Sequence, residues 1–194
     1  TTFAMELFRA SVGKKSDGLN STNKISRSYS TSDSNPLLKY KQETSEANKT
    51  KYKLKKMPIG RGKFGVVYYA TDNDGKEYAI KRISISALRQ TTLEKFEFEM
   101  NISLQMKHIN IVKCYETFKT ESYWYIVNEF CNGGTFEDLI KNIKDMEPKS
   151  KEQLCNYYLI QLKDALQYLH FNNIIHRDLK PQNILITKTE ETLN

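Results

Sequence analysis

Between residues 174 and 185 the chain reads Ile174-Ile175-His176-Arg177-Asp178-Leu179-Lys180-Pro181-Gln182-Asn183-Ile184-Leu185. Two short apolar runs bracket a dense set of His, Arg, Asp, Lys and Asn. A buried strand does not tolerate so many charges, and an exposed turn does not need the flanking Ile and Leu anchors. The pattern predicts a polar loop held rigidly between two buried elements, which is how a catalytic loop has to be built.

A second group lies upstream. Gly60-x-Gly62-x-x-Gly65-x-Val67 is weak as a spacing alone, because dinucleotide-binding folds carry a similar one. Its context is informative. A dinucleotide-type glycine loop runs from a strand into a helix. Here it runs between two strand-like segments, which suits a flap over nucleotide phosphates, since glycines let backbone N–H groups approach phosphate oxygens. Lys81 ends Tyr78-Ala79-Ile80-Lys81, a strand with apolar neighbours. A lysine there needs a partner or an exit to water. A nucleotide phosphate and a carboxylate on the following helix both serve, and Glu94, Glu97 and Glu99 compete for the latter.

The elements that must position these residues follow from periodicity. Tyr52, Leu54 and Ile59 predict one strand, Val66 to Ala70 a second and Tyr78 to Ile83 a third, joined by the glycine turn and by Asp72-Asn73-Asp74-Gly75. Leu93, Phe96, Met100 and Leu104 give helical spacing over about 88–106. Ile109, Ile111-Val112 and Tyr115 to Phe118 predict a fourth strand, and Tyr123 to Val127 a fifth. Asn132-Gly133-Gly134 breaks the chain before a short helix, Phe136 to Ile143. Ser150 to Gln153 has the form of a capping box. The helix behind it carries Leu154, Tyr158, Leu162, Ala165, Leu166 and Leu169 on one face, up to about His170.

Composition narrows the class. The chain has 194 residues, 39% hydrophobic and 27% charged, enough for one domain with a substantial core. Residues 1–51 are read as a tail. From Lys14 to Thr50 it is rich in Ser, Thr, Asn and Lys, and such a stretch cannot bury enough surface to order itself. Phe3, Leu7 and Phe8 are compatible with a short helical turn with Met5. The net charge of +7 comes from scattered Lys and Arg with no run of five, so a solvated basic surface is expected and nucleic acid is not. Cys114, Cys131 and Cys155 are odd in number and widely spaced, which favours a reducing, cytoplasmic setting. No apolar run approaches membrane-spanning length. Oligomeric state is not legible.

The glycine turn, the strand lysine, the helix acids and the 174–185 loop agree in order with one family. From about Tyr52 to its end the chain resembles a eukaryotic-type protein kinase, with His176-Arg177-Asp178-Leu179 and Asn183 at the positions of the H-R-D-L-x-x-x-N catalytic loop. The resemblance implies an α+β, two-lobe fold over 52–194. It has a five-stranded antiparallel small lobe with one helix, followed by the first helices and catalytic loop of a truncated helical large lobe. It selects Glu99 as the partner of Lys81, nine residues before His108-Ile109-Asn110-Ile111-Val112. It implies ATP and Mg²⁺ as cofactors and a protein Ser/Thr hydroxyl as acceptor. Lys81 would meet the phosphates, Asp178 the acceptor hydroxyl, Lys180 the γ-phosphate and Asn183 the metal. Gly60, Gly62 and Gly65 would cover the phosphates. Ile59, Val67, Ala79 and Leu185 would enclose the adenine, and the backbone at Glu129 and Cys131 would hydrogen-bond it. Lys180 points to serine/threonine rather than tyrosine specificity. Cys131 to Gly134 and the catalytic loop also look somewhat like the autophagy-initiating kinase group. His176 is read as packing behind the loop.

Some positions depart from the family pattern. Asn128 stands where a larger or apolar residue usually closes the pocket. Thr135 stands where an acid often holds the ribose. Ser103 replaces an apolar residue four after Glu99. No D-F-G or A-P-E occurs in the sequence. These 194 residues alone are therefore expected not to transfer phosphate at a useful rate, and part of the apolar face from Leu154 to Leu169 is expected to lack cover. The alternative is a truncated or pseudokinase module that binds nucleotide or a partner without catalysis.

Overall fold

Alternating β-branched and aromatic residues between Lys53 and Glu129 build one sheet in the computed structural model. The structure describes residues 2–5, 11–12, 51–62, 65–88 and 90–188, with 2–5, 11–12 and 90–95 as backbone alone. Five strands, β3 (Lys53–Gly62), β4 (Gly65–Thr71), β5 (Glu77–Ser84), β6 (Cys114–Lys119) and β7 (Tyr123–Glu129), pair antiparallel in the order β3-β4-β5-β7-β6. β3 is irregular around Pro58, which has no N–H to give the ladder. The β4–β5 turn is tied by Asp72, whose Oδ1 accepts from the backbone of Asp74 (3.0 Å) and Lys76 (2.9 Å), and Gly75 supplies its positive φ of 82°.

Register decides which side chains share a face. Val67 lies opposite Lys81, and Ala79 opposite Asn128. Lys81 and Ala79, two apart, point the same way. The other face closes over Ala70, Ile80 and Val127, all fully buried, with Tyr52, Tyr78 and Phe118 around them.

Helix α1 (Gln90–Gln105) covers the Lys81 face beyond the lysine, where Phe96 and Met100 pack with Ile83, Trp124 and Ile126. Ser103 is buried, and its hydroxyl donates to the Glu99 carbonyl at 3.1 Å, so its polarity is met inside the helix. Expected strand residues Ile109 and Ile111-Val112 lie outside β6: Ile109 is exposed, while Ile111 and Val112 are buried in the approach to the strand.

Helices α2 (Phe136–Asn142) and α3 (Pro148–Phe171) follow. α3 starts earlier than the Ser150 capping box suggests. Pro148 takes the first turn, where its missing N–H costs nothing, and the Glu147 carboxylate caps the Ser150 N–H at 3.0 Å. Tyr158, Ala165 and Leu169 of α3 are buried. Ala165 and Leu169 meet Ile102 of α1, Ile111 and Ile174, and Tyr158 meets Ile184. The face expected to lack part of its cover is thus covered at Tyr158, Ala165 and Leu169, while Leu154, Leu162 and Leu166 are only partly buried. The exposed apolar side chains of α3 are Tyr157, Leu159, Ile160 and Phe171. Two short strands, β8 (Ile174–Ile175) and β9 (Ile184–Thr187), flank the polar loop.

The amino end differs from its sequence reading. Thr2–Met5 is a strand, β1, paired antiparallel with β9, rather than a helical turn. Ser11–Val12 forms β2 and pairs with β8. The rest of the expected tail, residues 1, 6–10 and 13–50, with Leu7 and Phe8 of the expected turn, lies outside the described residues. Among the described residues no helix is long and apolar enough to cross a membrane.

Candidate functional site

A cavity of about 390 Å³ opens where the sheet meets β9. Its upper wall is apolar, from Ile59, Gly60, Val67 and Ala79, and its floor is Leu185. Lys81 reaches in from β5 and Asn128 from β7; the turn from Glu129 to Asn132 closes one side, and Gly134 and Thr135 the mouth. Apolar walls with a few convergent polar groups suit a flat heteroaromatic ring bearing a charged extension.

The glycine turn has local causes. A Cβ on Gly65 would fall 2.3 Å from the Arg82 carbonyl oxygen, so β4 crosses β5 there only because Gly65 lacks a side chain. A Cβ on Gly62 would meet nothing within 4 Å, which leaves that position open for a ligand to approach.

The 129–135 turn is fastened to β9. The Gly133 N–H donates to the Ile186 carbonyl at 2.7 Å, and the Ile186 N–H to the Gly134 carbonyl at 2.9 Å. The Asn132 side chain accepts from the Lys188 N–H at 2.7 Å and donates to its carbonyl at 3.3 Å. Thr135 caps α2: its hydroxyl accepts from the Asp138 N–H at 3.2 Å, and the Asp138 carboxylate takes the Thr135 hydroxyl and N–H at 2.6 and 3.0 Å. These bonds, first the Thr135 hydroxyl, hold the Asp138 carboxyl below the usual range.

The polar loop is ordered by its own groups. His176 is buried, and its Nδ1 accepts from the Asp178 N–H at 3.3 Å. Arg177 takes φ 65°, a left-handed conformation costly for a side-chain-bearing residue and characteristic of tightly determined loops. A 3₁₀ turn, Pro181–Asn183, brings Asn183 back. Its Nδ2 donates to the Asp178 carbonyl at 2.7 Å and to Asp178 Oδ2 at 3.0 Å. Lys180 Nζ lies 3.2 Å from Asp178 Oδ2. The Gln182 amide donates to Glu137 of α2 at 2.5 Å.

The structure therefore brings Asp178, Lys180 and Asn183 together, and separately gathers Ile59, Gly60, Val67, Ala79, Lys81, Glu129, Cys131 and Leu185 around one cavity. Glu99 is half-buried on α1, the helix packed on the Lys81 face, as is Glu97; the Glu94 side chain lies outside the described residues. Sequence reasoning missed Val112 as a lining residue and gave Phe130, Asn132 and Gly134 no contact of their own beyond membership of the hinge-like segment. Asn132 was legible as a chain break and as part of the kinase-like segment from Asn128 to Gly134; its clamp on Lys188 spans 56 residues and leaves no local signal.

Comparison with known proteins agrees with this arrangement. The family model described as "Protein kinase domain" matches residues 53–193. A chain from Acanthamoeba polyphaga mimivirus that carries a serine/threonine-protein kinase name is 42% identical over 147 residues, 72% of this chain and 32% of that protein. A calcium-dependent protein kinase 3 of Plasmodium yoelii yoelii is 35% identical over 145 residues, 73% of this chain and 26% of that one. The chain thus spans about a third or less of the length of these relatives. Among solved structures, the crystal structure of Rad53 1-466 in complex with AMP-PNP superposes with a TM-score of 0.59 at 27% identity, covering 74% of this chain and 36% of that one. With the matched residues spanning the five-stranded sheet, the cavity and the polar loop, the chain belongs to the protein kinase family.

Proposed function

We propose that this chain carries the nucleotide site and catalytic loop of a protein serine/threonine kinase, an enzyme that moves the γ-phosphate of ATP to a Ser or Thr hydroxyl of a protein. ATP and Mg²⁺ use is general in the family. The observation that carries the reading is the gathering of Lys180 and Asn183 on the Asp178 carboxylate, in a loop whose next strand floors the cavity through Leu185.

The roles follow from chemistry. Ile59, Val67, Ala79 and Leu185 hold the adenine ring, and the Glu129 to Cys131 backbone pairs with its edge. Gly60, Gly62 and Gly65 present N–H groups to the phosphates, and Lys81, steadied by Glu99, neutralises them. Asp178 orients the acceptor hydroxyl and takes its proton as the new O–P bond forms and the bond to the leaving ADP breaks. Lys180 draws negative charge from the moving phosphoryl group. Asn183 spends its amide nitrogen on Asp178, which leaves Oδ1, a hard oxygen of the kind Mg²⁺ takes. When bound, Mg²⁺ supplies charge neutralisation between phosphate oxygens.

Two measurements test the reading. Titration of the chain with AMP-PNP and Mg²⁺ is expected to show saturable binding that Lys81→Ala weakens about tenfold or more. Phosphorylation by the whole protein is expected on Ser/Thr peptides, not Tyr peptides, and to vanish in Asp178→Asn. The chain alone is expected to bind but to turn over slowly. Binding without phosphorylation by the whole protein would replace this reading with a non-catalytic nucleotide-binding module.

A further inference from the structure

The two faces of β5 differ in what they leave open. Ala79 and Lys81 turn to the cavity, so Ile80 and Arg82 turn the other way. Ile80 is fully buried, and Arg82 is half-buried at the end of that apolar cluster. Arg82 lies directly opposite Val66 on one side and Tyr125 on the other, with Tyr68 and Tyr123 diagonal to it. Its guanidinium carbon is 5.0 Å from the Tyr68 ring centre and 4.8 Å from that of Tyr123. One nitrogen donates to the Tyr68 hydroxyl at 2.8 Å. No carboxylate among the described residues pairs with Arg82. Lys51, Lys141 and Lys180, all more exposed, each have one. A guanidinium cannot shed its charge, and a charge partly removed from water is costly without a counter-charge. The phenols supply none, and burial holds the Tyr125 hydroxyl above its ordinary value. Arg61, opposite Val66, places a second guanidinium-bearing residue in the same row of the sheet.

We propose that this face of the five-stranded sheet, centred on Arg82 with Tyr68, Tyr123 and Tyr125 around it, is a docking site for an acidic segment of a partner protein. An Asp or Glu carboxylate of that segment supplies the counter-charge that Arg82 lacks. The guanidinium fork matches a carboxylate with two parallel N–H donors, and its planar shape against flat rings suits a planar anion. The rings already hold the side chain, so little freedom is lost when the anion arrives. Tyr and Arg are also the side chains that carry much of the binding energy at protein interfaces. Two strand spacings, about 10 Å, separate Arg82 from Arg61, which gives a second acid of the same segment its own partner. The net charge of +7 draws such a segment in. β5 has β4 and β7 on its two sides, so Arg82 is open across the face of the sheet and not at an unpaired edge. The inference rests on the sheet and is independent of the nucleotide reading.

The test separates this site from net charge. A fluorescent Glu-rich peptide is titrated with the chain and read by anisotropy, beside a counterpart with Gln for every Glu. Saturable binding of the Glu peptide is expected, about tenfold or more tighter than the Gln peptide. Arg82→Lys keeps the charge but loses the fork and its seat on the rings, and should weaken the Glu peptide about tenfold or more. Tyr68→Phe keeps the ring and removes only the hydroxyl that holds the fork, and should weaken it severalfold. Lys149→Gln removes one exposed charge from α3 and should leave affinity within about twofold of wild type. Urea unfolding of each variant reports that it folds, and Tyr68→Phe decides the matter if Arg82→Lys does not. Absence of saturable binding by wild type overturns the site. Equal affinity in wild type and Arg82→Lys, or an equal loss in Lys149→Gln, overturns it in favour of net charge. A phosphoserine peptide that binds about tenfold or more tighter than the Glu peptide overturns the carboxylate in favour of a phosphoryl group.

Discussion

Asn183 holds Asp178 at two points, donating one side-chain amide to the Asp178 carbonyl at 2.7 Å and to its carboxylate at 3.0 Å. The bond to the carbonyl fixes the loop, and the bond to Oδ2 fixes the direction of the carboxylate. Lys180 approaches the same oxygen at 3.2 Å, so both neighbours act on Oδ2. Asn183→Ala removes both bonds. The carboxylate then loses the bond that sets its direction and keeps, of the two, only the ion pair with Lys180, and a misplacement of about 1 Å costs about 10²-fold in rate. The expected outcome, read as kcat of the whole protein on a Ser/Thr peptide, is a loss of about that size. A kcat within twofold of wild type would show that Asp178 needs no such support.

Gly133 is expected to tolerate no side chain. A Cβ there would fall 2.7 Å from the Ile186 carbonyl oxygen, the same oxygen its N–H bonds, and 2.7 Å from Ile186 Cγ2. A backbone oxygen in a paired strand cannot step aside. Gly133→Ala should cost about 1–3 kcal/mol, measured by urea unfolding, and should weaken AMP-PNP binding because β9 shifts with Leu185. Gly62→Ala is the contrast: with nothing within 4 Å of its Cβ, stability should stay within about 0.5 kcal/mol.

Much of this site is readable in the sequence, and the unreadable parts share a cause. The strands from Val66 to Ala70 and Tyr78 to Ile83 announce themselves by β-branched and aromatic residues, and α3 by its 3-4 spacing, because those signals are local. The polar loop is legible because charges packed between Ile174-Ile175 and Ile184-Leu185 have few structural explanations. The start of α3 was misplaced because Ser150 offers a capping box while Glu147 and Pro148 offer a better cap and first turn three residues earlier. β1 was illegible for a different reason. Four residues pair with a strand more than 175 positions away, and nothing in Thr2–Met5 encodes the partner. Thr135, singled out against a ribose-holding acid, turns out to serve α2 as its cap while also lining the cavity.

That double position of Thr135 makes a pH-dependent prediction. The Asp138 carboxyl is held low by the Thr135 hydroxyl and N–H, so its folded value lies below its unfolded one. A lowered carboxylate contributes stability that is present above its unfolded pKa, about 3.9, and is lost as pH falls through the folded value. Thr135→Ala should lower Tm at pH 7 by about 3 °C, the shift expected for loss of one cap in a chain of this size. The gap between wild type and variant should shrink below about pH 4, as the wild type loses the same bonds by protonation. A gap that stays constant from pH 7 to pH 3 would assign the loss to something other than this carboxylate.

At the other end of the pH scale the controlling group is Cys114. Its thiol is buried between the sheet and α1, and burial first, then the Glu116 charge, pushes it up to about 12. An unfolded thiol ionises near 9. The folded state therefore holds its proton where the unfolded chain has lost it. The sign follows: this stability is fully present below about pH 9 and is lost as pH rises toward about 12. One proton gives a slope of at most about 1.4 kcal/mol per pH unit. Tyr78, raised to about 12 by burial and its bond to Asp72, adds a slope of the same sign only above about pH 10. The window from about pH 9 to 10 is therefore the cysteine's own. Urea unfolding at closely spaced pH values should show wild-type stability falling there and Cys114→Ala nearly flat, whatever the variant loses in absolute stability by its smaller side chain. Parallel slopes in the two proteins would place the alkaline sensitivity elsewhere in the fold.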